Sequence, residues 1–192
     1  MDRKKTARII SMIFQPTFIP IILYLIVAIH FVQSLRGLYL ALIGIGLIAL
    51  APIGWIYFLA RYNKISDPDL PDRRERFLPY IGIVGLYVGC LILFIYLRAP
   101  RQVLAITVSY ILVTLVGAFI SLFWKVSMHL AGVAGPVTAL VVLVSPYFAL
   151  AYLFLIPLGW ARYILKKHTL SQIIVGSGIS IFITLFAIRL FS

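Results

Sequence analysis

Acid is what this sequence has least of. Its 192 residues carry five Asp or Glu against 17 Lys or Arg, a formal net charge of +12. None of the five acids lies after Glu75. The second half of the chain therefore lacks the carboxylate sets that hold magnesium against a diphosphate. Cysteine is scarcer still. Cys90 alone excludes an intramolecular disulfide framework and a thiolate zinc site. Charge of either sign makes up 11% of residues, where a soluble domain has about a quarter. That scarcity argues against a soluble basic module that reads bases, so no nucleic-acid partner is expected. The chain also lacks a sustained internal repeat or low-complexity stretch.

Apolar residues fill the rest, at 63% of the chain and a mean hydropathy of +1.10. The sequence reads as one integral membrane domain, 1–192, in the all-α class: a polytopic transmembrane helical bundle. Seven apolar segments fall at 9–32, 38–60, 78–97, 102–124, 129–145, 147–163 and 169–190. Most reach the roughly 20 residues that a helix needs to cross the hydrocarbon. The fifth and sixth abut at Ser145-Pro146 and could form one interrupted element, so six spans is the alternative to the preferred seven. Residues 1–8 are basic, and the run after them contains Pro16 and Pro20 without a clear cleavage site. It reads as a retained signal anchor, kinked at its prolines.

Charge tests the count. Seven spans with a cytoplasmic N-terminus put 13 basic residues inside and four, Arg36, Arg98, Arg101 and Arg189, outside. That bias follows the positive-inside rule. It also brings three polar segments, 61–77, 124–129 and 162–168, to the cytoplasmic face of an inner or plasma membrane, prokaryotic by expectation. Six spans would send the last segment to the other face.

Those segments hold the candidate chemistry. Arg73, Arg74 and Arg76 cluster in the 61–77 loop, and guanidinium forks match phosphate oxygens. A solvated loop that pairs its own charges is the plain alternative. Of three histidines, His30 reads as interfacial. His129 follows Lys125 by four residues, which at helical spacing would place them on one face. His168 follows Arg162 by six. Two histidines among cations can share a phosphoryl transfer: one attacks phosphorus and the other protonates the leaving alcohol. The cations stabilise the oxygens in the transition state. Such chemistry needs neither metal nor cofactor. The small residues Gly132, Gly135, Gly176, Ser177, Gly178 and Ser180 read as faces for close helix packing.

Over about 61–180 the sequence resembles the type 2 phosphatidic acid phosphatase superfamily of membrane lipid phosphatases. The family motifs are Lys-x6-Arg-Pro, Pro-Ser-Gly-His and Ser-Arg-x5-His-x3-Asp. The third is matched by Arg162, His168 and Gln172 in the same spacing, with Ala161 for the serine and Gln172 for the aspartate. The second is matched at Ser127 and His129 within Val126-Ser127-Met128-His129. The first has its nearest equivalent in Lys64 with Arg73, Arg76 and Pro79. The resemblance implies that His168 is the nucleophile and His129 the general acid. It implies phosphate binding by Arg162, Arg76, Arg73 and Lys64, a hydrogen bond from Ser127, and Lys125 nearby. The substrate would be a lipid phosphate or pyrophosphate, such as phosphatidic acid or a polyprenyl phosphate, drawn from the surrounding membrane lipids. Gln172 can accept a hydrogen bond from an imidazole but supplies no charge. In serine proteases the analogous loss costs about 10⁴ in rate.

Two other readings stay open. One is a catalytically weak or inactive lipid-phosphate binder, transporter or partner subunit on the same scaffold. The other is a magnesium-dependent membrane prenyltransferase, because Asp67, Asp69 and Asp72 are similar to half of that family's aspartate-rich pair of loops.

Overall fold

A computed structural model describes residues 2–191, and the described residues form helices and turns without a strand. Proline sets the first break. α1 (Arg3–Ile13) is capped by the Asp2 carboxylate, which accepts the Lys4 N–H at 3.0 Å. It stops before Pro16, and α2 (Phe18–Phe31) restarts beyond it. The expected kink is thus a full interruption. Pro20 costs nothing, because it lies in the first turn of α2, where N–H groups have no intrahelical partner.

α3 (Leu35–Gly44) passes through one wide π-helical stretch, Ile45–Leu50, into α4 (Ala51–Arg61). Pro52 cannot donate to the Ile48 carbonyl four residues earlier. The Tyr87 hydroxyl donates to it instead, at 3.3 Å. A charged loop with a 3₁₀ turn at Arg73–Glu75 leads to α5 (Phe77–Tyr96), followed by α6 (Arg101–Phe123) and α7 (Met128–Leu143). A nine-residue 3₁₀ stretch, Pro146–Phe154, runs into α8 (Leu155–Ile164), and α9 (Leu170–Leu190) follows.

Six helical stretches are long and apolar enough to cross a membrane: Arg3–Phe31, Leu35–Arg61, Arg73–Tyr96, Arg101–Phe123, Pro146–Ile164 and Leu170–Leu190. The protein is an integral membrane helical bundle. Its seventh helix, α7, has 16 residues and spans about 24 Å.

Pairing decides how α7 counts. The Ser127 N–H bonds the Gln172 carbonyl at 3.2 Å, and the Ser180 hydroxyl bonds the Ala131 carbonyl at 2.8 Å. Moving up α7 therefore means moving up α9, so the two are parallel neighbours. Pro146–Ile164 must then return the chain from the end of α7 to the start of α9. α8 indeed runs antiparallel to α1: Arg162 meets Ser11, while Phe154 meets Phe14. The fifth and sixth segments are thus two separate helical stretches that run in opposite directions, not one interrupted element.

The same bonds define two ends. At the basic end Arg73 donates to the Leu122 carbonyl, Arg76 to Val126, and Lys167 pairs with Asp69. At the opposite end Arg36 donates to the carbonyls of Leu97 and Arg98, at 2.7 and 2.8 Å. Between them Tyr24, Phe94, Leu40, Ile48 and Ile106 are fully buried, and the Tyr24 and Thr107 hydroxyls share a bond at 2.8 Å.

Candidate functional site

The Arg162–His168 spacing is made by a helix ending. α8 closes in a turn where the Lys166 N–H bonds the Tyr163 carbonyl and the Lys167 N–H bonds the Arg162 carbonyl. Lys166 has φ +54°, the left-handed value such a cap needs. Glycine usually occupies that position; here a lysine does. The turn folds the chain back so that the His168 N–H also reaches the Arg162 carbonyl, at 3.4 Å. Arg162 and His168 are both buried beside one another as a result.

α9 then orients the imidazole. Thr169 and Gln172 form a reciprocal cap at its start. The Gln172 side-chain oxygen accepts the Thr169 backbone N–H at 3.2 Å and lies 3.2 Å from His168 Nδ1. A backbone N–H can only donate, so the amide must present its oxygen. The proton of the His168 ring therefore sits on Nδ1, and the lone pair sits on Nε2.

The second histidine segment is held against the first by backbone. The Ser127 N–H to Gln172 carbonyl bond fixes the start of α7 on the start of α9. Gly176 permits it: a Cβ there would stand 2.6 Å from the Ser127 carbonyl oxygen. His129 follows in the first turn of α7. Residues Trp124–Ser127 are not helical, so the expectation that Lys125 and His129 share a helix face is overturned. The helix starts only at Met128, because the bond to Gln172 pins Ser127 in extended backbone, at ψ +99°.

Arg76 completes the cluster. It is 4% exposed, with Nε donating to the Leu70 carbonyl at 2.9 Å and Nη1 to Val126 at 3.2 Å. Arg162 Nη1 donates to the Ser11 hydroxyl at 2.9 Å, while its Nε has no partner among the described residues. Arg76, Arg162, His129 and His168 line one chamber of about 730 Å³.

The other expected site residues stand elsewhere. Gln172 acts behind His168 and does not line the chamber. Ser127 is fully buried beside it, its hydroxyl unpartnered among the described residues. Arg73 is spent on the Leu122 carbonyl, and Lys64 is exposed; neither reaches the chamber wall. Lys125 also stays off the wall, though its charge is felt by His168. The acids are occupied in the loop. Asp67 and Asp72 accept backbone N–H groups two residues on, Glu75 accepts from Ser66, and Asp69 lies 3.6 Å from Lys167.

Several wall residues were missed in the sequence. Lys4 and Arg8 reach the chamber from α1, Tyr80 from α5, and Lys167 and Asp69 meet at it. Lys4, Arg8 and Ser11 do follow a helical spacing, which marks one face of α1. No sequence signal aimed that face at Arg162.

The electrostatics are one-sided. His168 is pushed down to about 3, first by burial and then by Arg162, Arg76 and Lys125; the bond to Gln172 opposes this. The Lys125 ammonium is lowered as well, by burial and by Arg76, Arg162 and Lys167. His168 is thus a neutral imidazole with a free Nε2 at neutral pH. Two buried guanidiniums with no carboxylate bonded to them among the described residues, and Asp69 as the one acid on the chamber wall, leave net positive charge in a low-dielectric site, which favours an anion with several acceptor oxygens. Among the described residues no three His, Cys, Asp or Glu side chains converge as metal ligands. No protein-family model, curated protein or solved structure matches the chain.

Proposed function

We propose that the protein is a lipid phosphate phosphatase that works through a covalent phosphohistidine. The observation that carries this reading is the Gln172–His168 bond. It holds the proton on Nδ1 and frees Nε2, on a chamber shared with His129, Arg76 and Arg162.

In the first step the Nε2 lone pair attacks phosphorus, the ester P–O bond breaks, and His129 protonates the departing alkoxide. Arg76 and Arg162 stabilise the charge on the remaining phosphoryl oxygens. In the second step water attacks phosphorus, His129 takes its proton, and the P–N bond breaks. Inorganic phosphate leaves and the Nε2 lone pair is restored. The mechanism requires His129 to carry its proton when the substrate is bound, and the negative charge of the phosphate supplies the interaction that favours that form. By the positive-inside rule the basic end, and with it the site, faces the cytoplasm.

The test is metal-free phosphate release from phosphatidic acid and polyprenyl phosphates. Release by the wild type and its loss in His168→Ala support the reading; equal rates would end it. Gln172 favours one alternative, a lipid-phosphate binder on the same scaffold, because an uncharged partner stabilises the imidazolium less than a carboxylate does. Tight binding of these lipids without release would establish that alternative.

A further inference from the structure

The chamber is longer than a phosphate needs. From the histidines at the basic end it continues between α5, α6, α7 and α9 into the bundle. Tyr110 lines its floor, 13 residues from Phe123 at the basic end of α6, a rise of about 20 Å. Ala139, on the facing wall, lies 11 residues beyond Met128, about 16 Å. Past the cationic mouth Leu23, Ile83 and Val113 line the walls. The cavity therefore has one charged pole and one long, mostly apolar arm between helices, with Ser109, Thr114, Ser180 and Thr184 also on its walls.

We propose that this arm takes one hydrocarbon chain end-on, so that the substrate class is a lipid phosphate with a single chain. The inference rests on the reading of the mouth as a phosphate site. Two features argue for that occupant. Charge complementarity fixes the phosphate at Arg76 and Arg162, and the apolar arm is continuous with those residues. Its size does the rest: cavities of about 300–1,000 Å³ enclose drug-sized molecules, a class that one chain with its head matches and a two-chain lipid exceeds. The arm also ends. Tyr110 and Tyr87 close it, and the Tyr24 ring stacks behind Tyr110 with ring centroids 6.3 Å apart. The tyrosine floor makes the arm a ruler of chain length.

The test uses a long-chain alkyl phosphonate, which cannot be hydrolysed, with a photoreactive diazirine at the chain terminus. A two-chain phosphonate carrying the same group is its comparison. Each is cross-linked to the full-length protein in detergent and the labelled residues are mapped. The single-chain probe should label Tyr110, Val113 and Tyr87, and the two-chain probe should not. Val113→Trp should reduce this interior label roughly tenfold, as expected for overfilling a packed apolar site. Ala139→Leu narrows the arm from the other wall and serves if Val113→Trp does not fold. Label confined to lipid-facing residues such as Ile95 and Phe119 overturns the proposal, as does equal interior labelling by both probes. Phosphate release is measured separately. Interior label without release removes the phosphatase reading and keeps the arm; release with only exterior label does the reverse.

Discussion

The two ends of this bundle are made of similar parts and put them to different use. Each has a helix that closes on a left-handed cation, Lys166 at the basic end and Arg98 at the other, with φ near +50° in both. Each has an arginine that reaches between elements, and each has a histidine. At the opposite end the polar groups are bonded to backbone or open to the surface. Arg36 covers the two carbonyls at the close of α5, and exposed His30 rests its ring edge on Phe31. At the basic end several are neither. Arg162 keeps an unpartnered Nε, Ser127 keeps an unpartnered hydroxyl, and His168 keeps a free ring nitrogen in a buried space. Residue type does not separate a helix cap from a candidate active site; leftover hydrogen-bonding capacity behind closed walls does.

The sharpest way to break the comparison is to delete one histidine from each end. His168→Ala should lower metal-free phosphate release by about 10⁴ or more, on the scale of removing a nucleophile. His30→Ala should leave it within about twofold. Similar losses in both would erase the distinction between the ends. Next comes Arg162→Ala. Loss of one guanidinium from the transition state should cost about 10²–10³ in kcat, seen in single-turnover rates. Arg36→Ala should lower the melting temperature and leave kcat alone.

Gly176→Ala examines alignment without removing a functional group. Its methyl would press on the Ser127 carbonyl and shift His129 against His168, and misplacement of about 1 Å costs on the order of 10² in rate. Rate loss with intact helical content by circular dichroism is the expected result.

A smaller effect should appear in pH dependence. Because His168 is held neutral, its charge changes only far below the ordinary value of 6.5. Between 6.5 and about 3 the unfolded chain binds the proton and the folded one does not. This residue therefore makes stability fall as pH drops through that window. Wild-type release should stay level through pH 6.5. In Gln172→Glu a carboxylate accepts the same two bonds and favours the imidazolium, so the acid limb should move up toward neutrality. An unmoved limb would mean that residue 172 does not set the protonation of His168. The smallest effect is expected at the opposite end. Arg98→Gly relieves a left-handed cation and should stabilise by up to about 1 kcal/mol in thermal unfolding, with unchanged activity.

Much of the architecture was readable in advance, because a chain with so little charge has few ways to satisfy its backbone except as membrane helices. The apolar segments and the gathering of 61–77, 124–129 and 162–168 at one end followed from hydropathy and the parity of crossings, while the prolines announced a kink where the structure has a full interruption. The histidine spacing was legible too. The helix ends were less so. Asn63, Arg98 and Lys166 adopt left-handed φ where no glycine announces it. For that reason the turn that folds His168 onto Arg162 left no sequence mark. Lys125 was misjudged because spacing implies a helix face only where a helix exists.

The sequence by itself determined the medium, the apolar segments, and which residues share an end, since all three depend on one-dimensional patterns of hydropathy and charge. The tertiary structure alone decided which of those residues face one another. Arg76 and Arg162 turn inward while Arg73 and Lys64 do not, and α1 contributes Lys4, Arg8 and Ser11 to the site, with Ser11 bonded to Arg162 across 151 positions of sequence. That choice rests on close helix approach at positions such as Gly176 and on which carbonyls need a donor. These are pairwise facts of packing, and a linear pattern does not contain them.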